Sequence, residues 1–172
     1  TNLEPITLGT VTVGPSTRLY ELPEIVRSVG ITLTDDENNE IVLVGLSSEP
    51  ILDPITNQVA VDLVWQPQAR INGSYKVFVH LLDTNGNIVA QSDAIPSGDN
   101  GTSRWLPGEV ILDQQLLTLP TEIAGSDTLS DLQLVVGLYD PIGMQRLSAR
   151  AADGTEISEG RIPLGSLSLP AP

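Results

Sequence analysis

The sequence predicts an all-β fold, an antiparallel β-sandwich of jelly-roll-like or immunoglobulin-like kind with about ten strands. Three observations carry that prediction. Large apolar residues recur at every second position over strand-length segments, as in Val59, Val61, Leu63 and Trp65. The 15 glycines and 13 prolines are spread along all 172 residues, so few windows can hold three turns of helix. Turn-forming groups such as Asp83-Thr84-Asn85-Gly86-Asn87 separate the apolar segments at hairpin spacing.

Residues 6–13, 29–33 and 41–48 read as the first three strands, and 23–28 as one short helical turn. The acidic run from Asp35 to Glu40 is a solvated loop. In the next strand Val59, Val61, Leu63 and Trp65 face the core. Residues 74–83 are apolar on nearly both faces, the mark of a central strand, and put Tyr75 and Phe78 in the core. Asn85-Gly86 turns the chain into its partner, 88–93. A long loop, 94–108, precedes a strand over 109–119 that Pro120 stops. Leu132, Leu134, Val136 and Leu138 face inward from the next strand, leaving Tyr139 on its polar face. Asp140-Pro141-Ile142-Gly143 turns that strand into 144–149, and Asp153-Gly154 turns again before 162–169 closes the domain. Residues 1–172 thus form one domain, with 1–24 as an N-terminal strand or arm and 170–172 as an exit tail.

Composition narrows function. The formal net charge is −14, and with one lysine the chain has no basic stripe with which to displace counterions from nucleic acid. The same balance opposes docking on anionic lipid. No apolar run approaches the ~20 residues that span a bilayer. There is no cysteine, hence neither disulfide nor thiolate metal site. The chain opens on Thr1 without a signal peptide, which suggests a piece of something larger.

No catalytic constellation emerges. His80 is the only histidine, and no Gly-x-Ser-x-Gly elbow accompanies it. Asp83, Asp93, Asp113 and Asp140 lie at strand ends, where a carboxylate pair for glycoside hydrolysis would have to be found. Aspartates in such places more often cap turns. No cofactor is expected. Ca²⁺ is the one metal to weigh, because Asp83-x-Asn85-x-Asn87 alternates oxygen donors and Asp35 to Glu40 is acidic. Asn-Gly hairpin chemistry explains the first segment without a metal. Asn72-Gly73-Ser74 and Asn100-Gly101-Thr102 match the N-glycosylation pattern but read as turns.

Several motifs, in order, carry a resemblance. They are Phe78-Val79-His80-Leu81-Leu82-Asp83, Gln91-Ser92-Asp93, Pro96, and Thr102-Ser103-Arg104-Trp105-Leu106-Pro107-Gly108-Glu109-Val110 with Asp113. Val136-Gly137-Leu138-Tyr139-Asp140-Pro141 and Arg146-Leu147 follow, with Leu8-Gly9-Thr10-Val11 and Val42-Leu43-Val44-Gly45 upstream. Together, over about residues 6–169, they resemble the soluble C-terminal domain of some bacterial multi-pass membrane glycosyltransferases of the protein-mannosyltransferase type. At Asp127 to Ser130 the chain departs from that pattern, which has a shorter, glycine-led approach to the strand. The resemblance implies a non-catalytic extracytoplasmic domain, tethered through an upstream segment to a transferase whose catalytic residues lie elsewhere. Its expected partner is a glycan or acceptor, or the membrane-embedded part of the same polypeptide.

For a glycan, exposed aromatic faces matter most. Of six aromatic residues, Trp105 and Tyr139 are the candidates for exposure, with Arg104, His80 and Arg146 as polar partners. The competing reading has Trp105 plugging the sandwich beneath its own loop. A structural spacer or protein-contact module is the alternative function, and a glycoside hydrolase ranks last.

Overall fold

The computed structural model describes residues 17–98, 100–124 and 132–167. The strands are β1 (Arg27–Thr34), β2 (Glu40–Leu46), β3 (Leu52–Asp53), β4 (Gln58–Pro67), β5 (Lys76–Leu82) and β6 (Ile88–Ala94). They continue with β7 (Ile111–Thr118), β8 (Gln133–Tyr139), β9 (Ser148–Arg150), β10 (Glu156–Ile157) and β11 (Ile162–Ser166). A four-residue turn of α-helix, α1 (Thr121–Ala124), is the only α-helix among the described residues. The larger sheet runs β10-β9-β1-β2-β4, with both β3 and β7 paired to β4, and the smaller runs β11-β8-β5-β6. All pairings are antiparallel. The expected sandwich is therefore present, with eleven described strands.

Alternation builds the core. Val59, Val61, Leu63 and Trp65 of β4 all point inward, as do Leu134, Val136 and Leu138 of β8, and they meet Leu33, Ile41 and Leu43. Each such side chain contributes about 1.5–3 kcal/mol on leaving water. In β5 the same rule places Val77, Val79 and Leu81 in the inter-sheet core. Phe78 and His80 consequently lie on the outer face of the smaller sheet. This corrects the expectation for Phe78: the ring is buried, but on the side away from the sandwich interior. Tyr75, just before β5, packs partly buried against the core.

Three further expectations change. Residues 23–28 form no helix, because the chain extends there into β1. The two-residue strands β3 and β10 are too short to leave a periodic signal. The segment 144–149 returns along β8 for a single bridge, Tyr139 to Arg146, then leaves for the other sheet, where β9 pairs with β1 and β10. The readings for 6–13, 127–130 and 170–172 fall outside the described residues.

One edge of the sandwich is joined by polar groups. Asp113, Gln115 and Leu117 face inward from β7, and the first two stand opposite β6. The Asp113 carboxylate is buried and accepts from Trp65 Nε1 at 3.1 Å, Ser97 N at 2.8 Å and Gln115 Nε2 at 2.8 Å. Ser97 Oγ donates to Leu112 O at 2.6 Å, and Ser92 Oγ meets Gln115 Oε1 at 3.4 Å. At the opposite edge the Arg27 guanidinium bridges the Leu164 carbonyl of β11 and the Glu49 carboxylate.

Burial raises the Asp113 carboxyl above its ordinary value, against the lowering effect of Ser97, Gln115 and Trp65. Asp113→Ala leaves two buried donors, Trp65 Nε1 and Gln115 Nε2, without this acceptor, and should cost about 3 kcal/mol in urea unfolding. Because the folded carboxyl binds its proton more readily than the unfolded one, its ionisation opposes folding at neutral pH and the opposition fades as pH falls. The stability gap between wild type and Asp113→Ala should therefore widen between pH ~7 and pH ~4.

Candidate functional site

The outer face of the smaller sheet carries a cavity of about 220 Å³ lined by Phe78, His80, Gln91, Asp93, Tyr139, Met144 and Arg146. Strand register assembles it. Phe78 stands opposite Asp93 on β6 and Gly137 on β8, and His80 opposite Gln91 and Val135. Arg146 reaches over this face from the connection between β8 and β9 and sets its guanidinium carbon 4.7 Å above the Phe78 ring centre. Phe78 stacks obliquely on His80 at 4.8 Å and on Tyr139 at 6.4 Å.

Gly137 makes this arrangement possible. A Cβ there would run into the Phe78 ring and the Gly160 carbonyl, so only a bare backbone lets the ring lie across β8. The Ser158–Gly160 turn crosses at the same point and brings Glu159 to Arg146 (3.4 Å) and Arg161 (3.2 Å).

The electrostatics follow from burial and from these charges. His80 is 6% exposed, and its Nδ1 has no hydrogen-bond partner. Desolvation pushes the imidazole below its ordinary pKa; Asp93 opposes this, and Arg146 and Arg161 reinforce it. Burial, and then the charge and hydrogen bonding of Asp93, raise the Tyr139 hydroxyl. At neutral pH the cavity thus presents a neutral imidazole, a protonated phenol, the Gln91 amide, a carboxylate and a guanidinium that covers the buried Phe78 ring.

Of the five residues singled out from sequence, Tyr139, His80 and Arg146 meet here. Trp105 does not, and the reading of it as an exposed ring is corrected: it is 0% exposed, with Nε1 donating to Asn100 O at 2.7 Å beneath its own loop. Arg104, next to it, is exposed, and its carbonyl accepts from Arg18 at 3.2 Å. Sequence reasoning missed Phe78, Gln91 and Met144 as site residues and weighed Asp93 only as one of four strand-end carboxylates. Three of these stand at alternate positions of two paired strands, a signal that needs the β5–β6 register to be read.

The remaining candidates have structural partners. Asp83 Oδ1 accepts from Asn85 N and Asn87 N, and its Oδ2 from Asn87 Nδ2, all within 2.9 Å. Asp35 repeats the pattern with Glu37 N, Asn39 N and Asn39 Nδ2. Both hairpins turn through a positive φ at the fourth residue, Gly86 at 82° and Asn38 at 62°. Asp140 accepts from Ile142 N and Gly143 N. Among the described residues, no group of three or more histidine, cysteine or acidic side chains could hold a metal. Asn72 donates to Glu37, and Asn100 caps Trp105.

A larger groove of about 480 Å³ lies over β1, β9 and β10, lined by Thr32, Thr34, Ser148, Arg150 and Glu156 among others. It is lined by no aromatic ring, so the smaller cavity is the better candidate.

No family model matches the chain. Over 91 residues it is 32% identical to the gamma-glutamyl phosphate reductase of Shewanella piezotolerans, a span of 52% of this chain and 20% of that protein. The chain thus covers about a fifth of that relative's length. No helix among the described residues is long and apolar enough to cross a membrane.

Two outcomes check this geometry. The single histidine should titrate below 6.5 by NMR, lower still in Asp93→Asn and higher in Arg146→Gln. Since the folded imidazole binds a proton less readily than the unfolded one, its contribution to stability is complete above the unfolded pKa and is lost as pH falls through the folded one. Gly137→Ala should cost about 1–3 kcal/mol in thermal unfolding and shift the Phe78 ring resonances.

Proposed function

We propose that this chain is a non-catalytic accessory domain of an extracytoplasmic, membrane-bound glycosyltransferase-like protein, and that the cavity on its smaller sheet holds one residue of a glycan or acceptor. One observation carries the reading: six of the seven lining residues, Phe78, His80, Gln91, Asp93, Tyr139 and Arg146, belong to the motifs that resemble the transferase-associated domain. The other motif residues build the frame. Thr102 Oγ1 accepts from Tyr75 N and donates to Gly73 O, Trp105 fills the open end, Glu109 accepts from Leu106 N, and Asp113 joins the sheets.

The chemistry suits a sugar. The partly exposed Tyr139 ring and its phenol sit beside an amide, a carboxylate and the edge of an imidazole within a volume that admits one sugar ring and no longer chain. A non-catalytic role is supported by the fates of the four strand-end aspartates. Asp83 and Asp140 hold turns and Asp113 is inside, so Asp93 has no carboxylate partner from that set. The second reading, a protein-contact module, draws on Leu112 and Leu116, both about half exposed on the outer face of edge strand β7.

The test is retention of the purified domain on immobilised glycans. Tyr139→Ala and Arg146→Ala should each weaken retention at least tenfold, while Leu116→Ser should leave it unchanged. Retention that survives both cavity substitutions would remove the reading. The setting is checked by the reading frame ahead of Thr1, which should encode several apolar segments of ~20 residues.

A further inference from the structure

Building on the sugar-binding reading, we infer that the cavity selects an uncharged sugar residue and discriminates against anionic sugars such as uronates and sugar phosphates. The argument begins with charges that cancel in place. Arg146 turns one face of its guanidinium to the Phe78 ring and an edge to Glu159, and Arg161 shares the same carboxylate. Asp93 supplies the second negative charge within the cavity. Two guanidinium groups against the carboxylates of Glu159 and Asp93 leave a net charge of zero. Lys76 stands on the same face of β5 beyond Phe78 but does not line the cavity. His80, desolvated and flanked by both arginines, is neutral at neutral pH and adds no positive charge.

An anion entering here meets the Asp93 carboxylate, and the two cations within reach are already engaged with Glu159. The molecule as a whole carries −14 and repels the same ligand at longer range. A hydroxyl meets none of this opposition. It can donate to Asp93, accept from the Gln91 amide, and either give or take at a neutral imidazole, whichever ring nitrogen carries the proton. Carboxylate and phosphate oxygens only accept, and Asp93 cannot donate to them.

The experiment is an NMR titration of the ¹⁵N-labelled chain with D-glucose, D-galactose, D-mannose and N-acetyl-D-glucosamine, and separately with glucuronate and glucose 6-phosphate. The readouts are the amides of Gln91, Asp93, Tyr139 and Arg146 and the His80 ring. At least one neutral sugar should give saturable shifts centred on these residues. Both anions should bind at least tenfold more weakly, equivalent to about 1.4 kcal/mol. Raising salt from ~20 to ~500 mM should narrow that ratio by screening Asp93, and Asp93→Asn should narrow it further. An anionic sugar that binds as tightly as the neutral ones would overturn the charge argument and leave sugar binding standing. A ratio indifferent to salt would overturn it as well, even where Asp93→Asn binds nothing. Silence from every sugar at these residues would remove the underlying reading and this inference with it.

Discussion

The Asp113 carboxylate is the constraint on which the rest of the molecule turns. It sits inside the sandwich, where an ion is costly to desolvate, and three donors from three different segments offset that cost. Those donors are Trp65 of β4, Gln115 of β7 and the backbone of Ser97 just beyond β6. An apolar interface between sheets holds them together without dictating how far one slides along the other. Hydrogen bonds to a fixed carboxylate do dictate it, because they fail within about an ångström of misplacement. β6 pairs with β5 on one side, and on its other side it depends on this joint and on Ser92. Gln91 and Asp93 therefore reach the outer cavity from a strand positioned by chemistry on the inner side.

The motif residues divide by face and by task. In the long loop and β7, Thr102, Trp105, Glu109, Val110 and Asp113 are buried, and their work is to seal one end of the sandwich. Those of β5, β6 and β8 alternate: Val79, Leu81, Val136 and Leu138 enter the core, while Phe78, His80, Asp93 and Tyr139 stay outside. A strand that is apolar on both faces need not be sandwiched between two layers. Here the second face is covered by one arginine and a crossing turn, over a glycine that makes room for a ring.

How much of this was legible beforehand depended on whether a feature was local. The inward set of β4, the Asn85-Gly86 hairpin and the outward position of Tyr139 follow from period-two alternation and turn chemistry, and all three are present. Phe78 was assigned to the core because alternation cannot tell an apolar residue beneath an arginine from one beneath a second sheet. The cavity itself is half legible: the sequence singles out Tyr139 as an exposed ring and His80 and Arg146 as polar partners. Asp93 and Gln91 needed the register between β5 and β6, which no spacing along one strand discloses. Trp105 admitted two readings, an exposed ring or a plug beneath its own loop, and the second is the one present, with the backbone carbonyl of Asn100 accepting from its indole N–H. The departure of 144–149 from β8 to the other sheet was hidden for a similar reason, since a returning segment reads alike whichever sheet receives it.

The route of that departing segment has a mechanical consequence. Arg146 and Met144 ride on the stretch of chain that leaves one layer for the other, yet they close a cavity whose remaining walls belong to a single layer. Anything gripped between Arg146 and β6 would act as a rivet across that passage. Slippage of the layers would have to loosen the grip first, so occupancy of the cavity and resistance of the two layers to shear become one property of the molecule.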